Sequence, residues 1–270
     1  MRVNPMQKTR ISIMFEALQA RNKKAFIPYL MAGDPDAGTT LQQVLLLERC
    51  GADIIELGVP FSDPLADGPT IQKAAGRALK SGTTLRKVLS IVRDIRSQTD
   101  VPLILMTYYN PVFKYGEKAF IHDAIHSGVD GIIVPDLPPE EAGELIKLSR
   151  QGTGGRRLDT IFLIAPTSTP MRIKKIAAAS SGFVYYVSVT GITGAALEID
   201  EGFRRHLDLV KHATDKPVAV GFGIATPDQA LKVAQIADGV IVGSALVKVF
   251  NETPDQAENL IRGLKEAISK

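Results

Sequence analysis

Two carboxylates stand where acid–base chemistry is done. Glu56 closes the apolar run Asp53-Ile54-Ile55-Glu56-Leu57, and Asp67 sits in Ala66-Asp67-Gly68-Pro69-Thr70-Ile71-Gln72, between turn residues and a helical run. Side chains alternate along a strand, so Glu56 shares a face with Ile54 while Ile55 points the other way. A carboxylate at the exit of a buried strand is costly without a partner or a task. Its pKa is expected to rise toward the range useful for proton transfer near neutral pH.

Other chemistries find less support. A Schiff base needs a lysine inside the fold, near a strand end; no expected strand contains one, and Lys114 and Lys248 lie beyond strand ends. A metal site needs clustered His or carboxylate ligands. His122 and His126 have helical i, i+4 spacing, but on an outer helix, where a solvated face explains them; His206 and His212 are helical as well. Cys50 lies in a helix with no His nearby, and as the only cysteine it excludes an intrachain disulfide and fits a reducing compartment.

Glycines point to an anion. Gly221-Phe222-Gly223 and Gly243-Ser244 each follow an apolar run, the second at a helix start, and Gly191-Ile192-Thr193-Gly194 follows another. Helix N-termini and close-approaching glycine backbone make phosphate sites; the bland alternative is a set of tight turns. Tyr29, Tyr108, Tyr185 and the region of Phe222 are candidates to grip a flat apolar group, against the usual fate of an aromatic as core.

The elements that must carry these groups alternate. Strands are expected over 26–30, 53–57, 103–107, 131–134, 160–165, 183–187, 218–221 and 239–242. Amphipathic helices are expected between them, among them 40–50, 117–127, 140–150 and 227–236. Eight βα units imply a closed (β/α)8 TIM barrel spanning residues 1–270 as one domain, with 9–21 as an extra N-terminal helix capping its floor. An open doubly wound sheet is the alternative, and would not need this even spacing. A weak repeat runs through the barrel. Odd strands have Pro near the start (Pro28, Pro102, Pro217), and even strands follow small residues and Asp (Asp53, Asp130, Asp238). In such barrels the reacting groups sit at the C-terminal ends of strands.

Length and composition agree with this. The 270 residues are 45% hydrophobic and 23% charged with a net charge of +3, and the basic pairs are not interleaved with aromatics, so nucleic-acid binding has little support. The apolar runs are short for a membrane span, and the N-terminus lacks a signal-like apolar core.

The segment from Glu56 to Gln72 closely resembles the signature of the tryptophan synthase alpha chain family. The resemblance implies retro-aldol cleavage of indole-3-glycerol phosphate to indole and glyceraldehyde 3-phosphate. Glu56 would be the general acid/base and Asp67 the group that holds the indole nitrogen. It carries Gly194, Gly223, Gly243 and Ser244 as phosphate contacts and Tyr108 and Tyr185 as pocket residues, with Tyr29 aligning less well. It also implies a beta chain that carries pyridoxal phosphate, in an αββα heterotetramer, with no cofactor in this chain. Pro60, Asp63, Asn110 and Pro138 fall at its interface positions, and Asp63 and Asp136 are either turn or capping residues or part of that contact. Loops 60–68 and 188–200 are expected to close over the ligand. The expected location is the cytoplasm, or a plastid stroma if the gene is plastid-encoded. One segment, 151–157, departs from the family, which has a shorter turn there; its glycines suggest a mobile surface loop on the N-terminal face. A standalone lyase releasing free indole, another barrel enzyme acting on a phosphorylated substrate and a non-catalytic phosphate-binding regulatory subunit remain as alternatives.

Overall fold

A computed structural model describes residues 8–187, 199–221 and 223–270. Its strands are β1 (Ala25–Met31), β2 (Ile55–Gly58), β3 (Leu103–Met106), β4 (Gly131–Ile133), β5 (Asp159–Ile161), β6 (Leu163–Ile164), β7 (Val184–Val187), β8 (Val218–Gly221) and β9 (Gly239–Val242). All pairings are parallel, in the order β5-β4-β3-β2-β1-β9-β8-β7-β6. The two ends of that order, β5 and β6, are consecutive halves of one barrel strand, so the sheet closes into a (β/α)8 barrel.

The expected unbroken strand over 160–165 is interrupted at Phe162. Its N–H donates to Ser180 Oγ at 3.3 Å, outside the ladder, while its carbonyl accepts from Tyr185 N–H at 3.2 Å. The first half therefore pairs with β4 and the second with β7.

Strand alternation separates two cores. Ala25, Ile27, Ile54, Ile104, Ile133, Ile161, Phe183, Tyr185, Ala219 and Ile241 fill the barrel, joined from below by Ile11, Phe15 and Leu18. Those three come from α1 (Arg10–Gln19), which Thr9 caps, so the extra helix closes the floor as expected. The opposite faces, including Phe26, Leu30, Ile55, Leu57 and Leu105, pack outward against the helices. These helices are α2 (Ala37–Arg49), α3 (Pro69–Lys80), α4 (Leu85–Arg96), α5 (Tyr109–Tyr115), α6 (Glu117–Ser127), α7 (Gly143–Gln151), α8 (Pro170–Ala179), α9 (Glu201–His212), α10 (Pro227–Ala234), α11 (Ser244–Glu252) and α12 (Ala257–Ile268). Helix α7 starts three residues later than expected, after a turn. Helix α5 is new: residues 109–115, read as the exit of a strand, form a short helix of their own.

The repeat in the sequence has a physical basis. Each Asp before an even barrel strand accepts a backbone N–H from the start of the preceding odd strand: Asp53 from Phe26 at 2.8 Å, Asp130 from Leu103 at 3.0 Å and Asp238 from Val218 at 3.0 Å. In the remaining pair Ser181 Oγ takes this part, accepting from Thr160 N–H at 2.9 Å. The clamps satisfy donors that the ladder leaves over at strand starts. Cations then gather on the same carboxylates: Lys265 on Asp53 at 2.8 Å, and Arg96, Arg10 and Arg156 on Asp130 at 2.9, 3.2 and 3.6 Å.

Arg156 comes from the segment 151–157. That segment is a tight turn closed by Thr153 N–H donating to Arg156 O at 2.9 Å, and Arg156 also donates to the Ile125 carbonyl. Its glycines shape the turn. Gly152 has φ +62°, and a Cβ there would lie 2.0 Å from the Arg156 carbonyl oxygen.

Candidate active site

Glu56 faces the barrel interior from β2 and is 1% exposed. Its register partners are Tyr29 on β1 and Ile104 on β3. Two residues further on, Gly58 takes the same inward face. A Cβ at Gly58 would lie 2.0 Å from the Tyr29 hydroxyl oxygen, so the missing side chain is the slot for that phenol. The arrangement recurs on the other side of the barrel, where a Cβ at Gly221 would lie 2.3 Å from the hydroxyl oxygen of Tyr185. The two phenols thereby fit inside the barrel mouth, near Glu56.

Asp67 reaches the same space from the loop ahead of α3. Tyr108, at the N-cap of α5, holds that loop. Its hydroxyl oxygen accepts from Ala66 N–H at 2.9 Å, which brings the phenol beside the Asp67 carboxylate. The Asp67 carbonyl accepts from Gln72 Nε2 at 2.7 Å, and the Tyr108 ring packs on Phe61 with centroids 5.4 Å apart.

Burial, and next the negative charge of Asp67, push the Glu56 carboxyl up to about 8. Burial also raises Asp67, opposed by the hydrogen bond from Tyr108. Tyr29 and Tyr185 lie well above the ordinary phenol value through burial, with further elevation by Asp67 and Glu56 at Tyr29 and by Glu56 at Tyr185. At neutral pH the site thus combines a protonated or readily protonated carboxyl, a second acid and neutral phenols. One Glu56 oxygen, Oε2, is buried without a hydrogen-bond partner.

The phosphate candidates lie along the same rim. Gly243 is the N-cap of α11 and Ser244 its first residue, both half-buried. A Cβ on Gly243 would sit 3.6 Å from Tyr29 Cβ, which brings this helix N-terminus beside the pocket. Gly223, after β8, has φ +75°, a left-handed conformation that favours glycine. Thr193, Gly194 and Phe222 lie outside the described residues, as does most of the expected lid at 188–200.

The expected interface positions separate. Asp63 and Asn110 are exposed and Pro138 is half-buried, whereas Pro60 is buried within the chain. Asp136 accepts from Tyr109 N–H at 2.9 Å and so caps α5, one of the two roles open to it. Asp63 accepts from Ser62 Oγ within its turn. His122 and His126 stack on α6 with ring centroids 4.1 Å apart, outside the barrel. Among the described residues no group of three or more His, Cys, Asp or Glu is placed to hold a metal ion.

The sequence profile of the tryptophan synthase alpha chain matches residues 15–270. The chain belongs to that family. It is similar to the tryptophan synthase alpha chain of Geobacter sp. (strain M21), 50% identical over 267 residues that cover 97% of this chain and 98% of the relative. The Synechocystis sp. alpha chain is 49% identical over 265 residues, covering 96% and 99%. Among solved structures, one of Mycobacterium tuberculosis tryptophan synthase superposes with a TM-score of 0.90 at 40% identity, covering 98% of this chain and all of the matched chain. An Aquifex aeolicus structure gives 0.89 at 42% identity.

Reading the sequence alone missed Gly58. The residue is visible in Glu56-Leu57-Gly58, two positions after the acid on one strand face, but counts there as a turn residue. Only the Tyr29 ring shows that it shapes the pocket.

Proposed function

We propose that Glu56 and Asp67 perform the family's reaction at the barrel mouth, with the phosphate held at the N-terminus of α11. The chain is a lyase of tryptophan biosynthesis and cleaves indole-3-glycerol phosphate to indole and glyceraldehyde 3-phosphate. The observation that carries the residue assignment is Glu56 itself, a fully buried carboxyl raised to about 8 with one oxygen unpartnered, beside a second acid.

Three events must be joined. A proton reaches indole C3, the side-chain hydroxyl loses its proton, and the bond between C3 and the carbon that carries this hydroxyl breaks. Glu56, protonated over much of the neutral range, delivers the proton to C3. The ring becomes cationic, and the Asp67 carboxylate stabilises that charge at the indole N–H in a site where water does not screen it. Glu56, now a carboxylate, accepts the proton of the side-chain hydroxyl. The hydroxyl oxygen forms the aldehyde carbonyl, and the electrons of the breaking carbon–carbon bond return to the ring, restoring neutral indole. Tyr108 keeps Asp67 in place through the loop, and Tyr29 and Tyr185 line the ring pocket. The backbone around Gly223, Gly243 and Ser244 takes the phosphate; Thr193, Gly194 and Phe222, outside the described residues, are assigned to the same ligand by family position.

A beta chain that carries pyridoxal phosphate is the proposed partner, in an αββα assembly in the cytoplasm. Supporting this, Leu65, Phe113 and Met171 are 86%, 66% and 81% exposed on segments that follow β2, β3 and β6. All three stand on the rim where Asp63, Asn110 and Pro138 lie. Exposed large apolar side chains gathered on one rim suit a protein contact.

Indole release by the purified chain, with and without a beta chain, tests the reading. Slow release that the partner accelerates is expected. Release unaffected by a beta chain that does not associate would favour the standalone lyase, and no release in either case would favour a binding subunit.

A further inference from the structure

The two ends of the ligand site are presented by two helices, and an ionic cluster joins them. Helix α3 begins directly after Asp67, and α11 begins at Ser244. Both lie over β1, where Ile71, Ala74, Ala75 and Ala78 of α3 and Val247 of α11 pack with Tyr29 and Met31. An alanine face allows close approach but is smooth, and apolar contact of this kind is non-directional. It leaves the sliding of one helix along the other weakly specified.

Among the described residues, directional bonds on this seam gather at one place. Asp34, just past β1 and 4% exposed, accepts two bonds from Arg77 of α3, from Nε and Nη2, each at 2.7 Å. Asn251 of α11 donates from Nδ2 to the same carboxylate at 3.2 Å and to its own helix at the Val247 carbonyl at 3.0 Å. The loop that holds Asp34 is tied to α3 a second time, since Ser81 Oγ donates to the Gly33 carbonyl at 3.1 Å. Helix rise puts Arg77 roughly 12 Å from the start of α3 and Asn251 roughly 10 Å from the start of α11, too far for contact with the reacting atoms.

We infer that Asp34, Arg77 and Asn251 form a positioning hub that sets the distance between Asp67 and the phosphate-binding N-terminus of α11. The inference rests on the assignment of those two ends in the proposed function. A planar guanidinium fork on a carboxylate fixes orientation as well as distance, which a point charge does not. The hub therefore acts on ligands that must reach both ends at once and leaves one-ended ligands alone.

The test compares two ligands: glycerol 3-phosphate, which engages one end, and a non-cleavable molecule with an indole and a phosphate joined by three carbons. Arg77→Lys keeps the charge and removes the fork; Asn251→Ala alters an exposed position at a helix end, where the fold is little affected. For Arg77→Lys the two-ended ligand is expected to bind about tenfold more weakly with kcat reduced at least as much, while glycerol 3-phosphate changes less than about twofold. Asn251→Ala should act in the same direction, and the double variant should lose less than the product of the two. Equal losses for both ligands, or no loss beyond a lowered melting temperature, with a wild-type chain that releases indole, would make the cluster a fold brace and overturn the inference. A wild-type chain that neither releases indole nor binds the two-ended molecule would overturn the functional assignment itself, and the inference with it.

Discussion

The two ends of this barrel treat a carboxylate set against strand backbone in opposite ways. On the N-terminal face, Asp53, Asp130 and Asp238 each take a backbone N–H, and cations collect around them, three arginines at Asp130 alone. On the C-terminal face, Glu56 has no ion pair among the described residues, an unpartnered oxygen and a second acid nearby that adds repulsion. The first group has its oxygens taken up by backbone N–H groups and cations; the second keeps an oxygen unpartnered and, raised to about 8, holds its proton. A carboxylate at a strand start secures the ladder, while one at a strand exit faces the ligand and is left reactive. The difference lies in what surrounds the carboxylate, since every one of them is set against strand backbone.

Substitutions on either side should therefore have opposite effects. Glu56→Gln is expected to lower indole release by about 100- to 10,000-fold or more with phosphate affinity kept, measured by turnover and by glycerol 3-phosphate binding. Near-normal turnover would remove Glu56 from the mechanism. Asp130→Ala should do the reverse. It strands Arg96 and the Leu103 N–H, and should destabilise the chain by about 3–5 kcal/mol in denaturant titration while the folded fraction keeps its kcat. Loss of kcat without loss of stability would break the division between the faces.

Asp67→Asn tests the second acid. An amide still meets the indole N–H but does not balance a positive ring, so kcat should fall on the order of 100-fold. Unchanged turnover would reduce Asp67 to a turn residue. The smallest expected effect is at the phosphate end. The nearest atoms that a Cβ on Gly243 would meet among the described residues belong to Tyr29, at ordinary contact distances, so Gly243→Ala should fold normally. It should raise KM about tenfold for the phosphorylated substrate and little for its dephosphorylated analogue, by keeping phosphate off the helix N-terminus. Gly223 is a poorer probe, because its φ of +75° would strain any replacement.

Much of this contrast could be read from residues alone. Apolar runs of strand length placed every barrel strand, and a carboxylate ending one of them marked Glu56. The recurrent Asp before even strands was visible as a repeat, but its meaning was not, because the accepted N–H belongs to the previous strand. The break at Phe162 was illegible for a similar reason: it depends on Ser180, in a later element. Helix α5 is too short for periodicity to separate it from a strand exit. The hub was hidden most completely, since Asp34 and Asn251 are 217 positions apart and neither lies in a motif.

The most direct measurement is the pH dependence of stability in the wild-type chain and in Glu56→Gln. An acid whose folded pKa lies above its unfolded value binds its proton more tightly when folded. Its favourable contribution is complete below the ordinary carboxylate range and is lost as pH rises through about 8. Each pH unit across that window costs the wild type about 1.4 kcal/mol, and glutamine, which does not titrate, is spared. If Glu56 is a carboxyl kept buried and unpaired for chemistry, the inactive variant should gain on the wild type steadily from about pH 4.5 to about pH 8 and hold a constant lead above that. A stability difference that does not vary with pH would mean that Glu56 keeps an ordinary carboxyl pKa in the fold, and one that turns against the variant as pH rises would mean that it is a paired carboxylate; either contradicts the account.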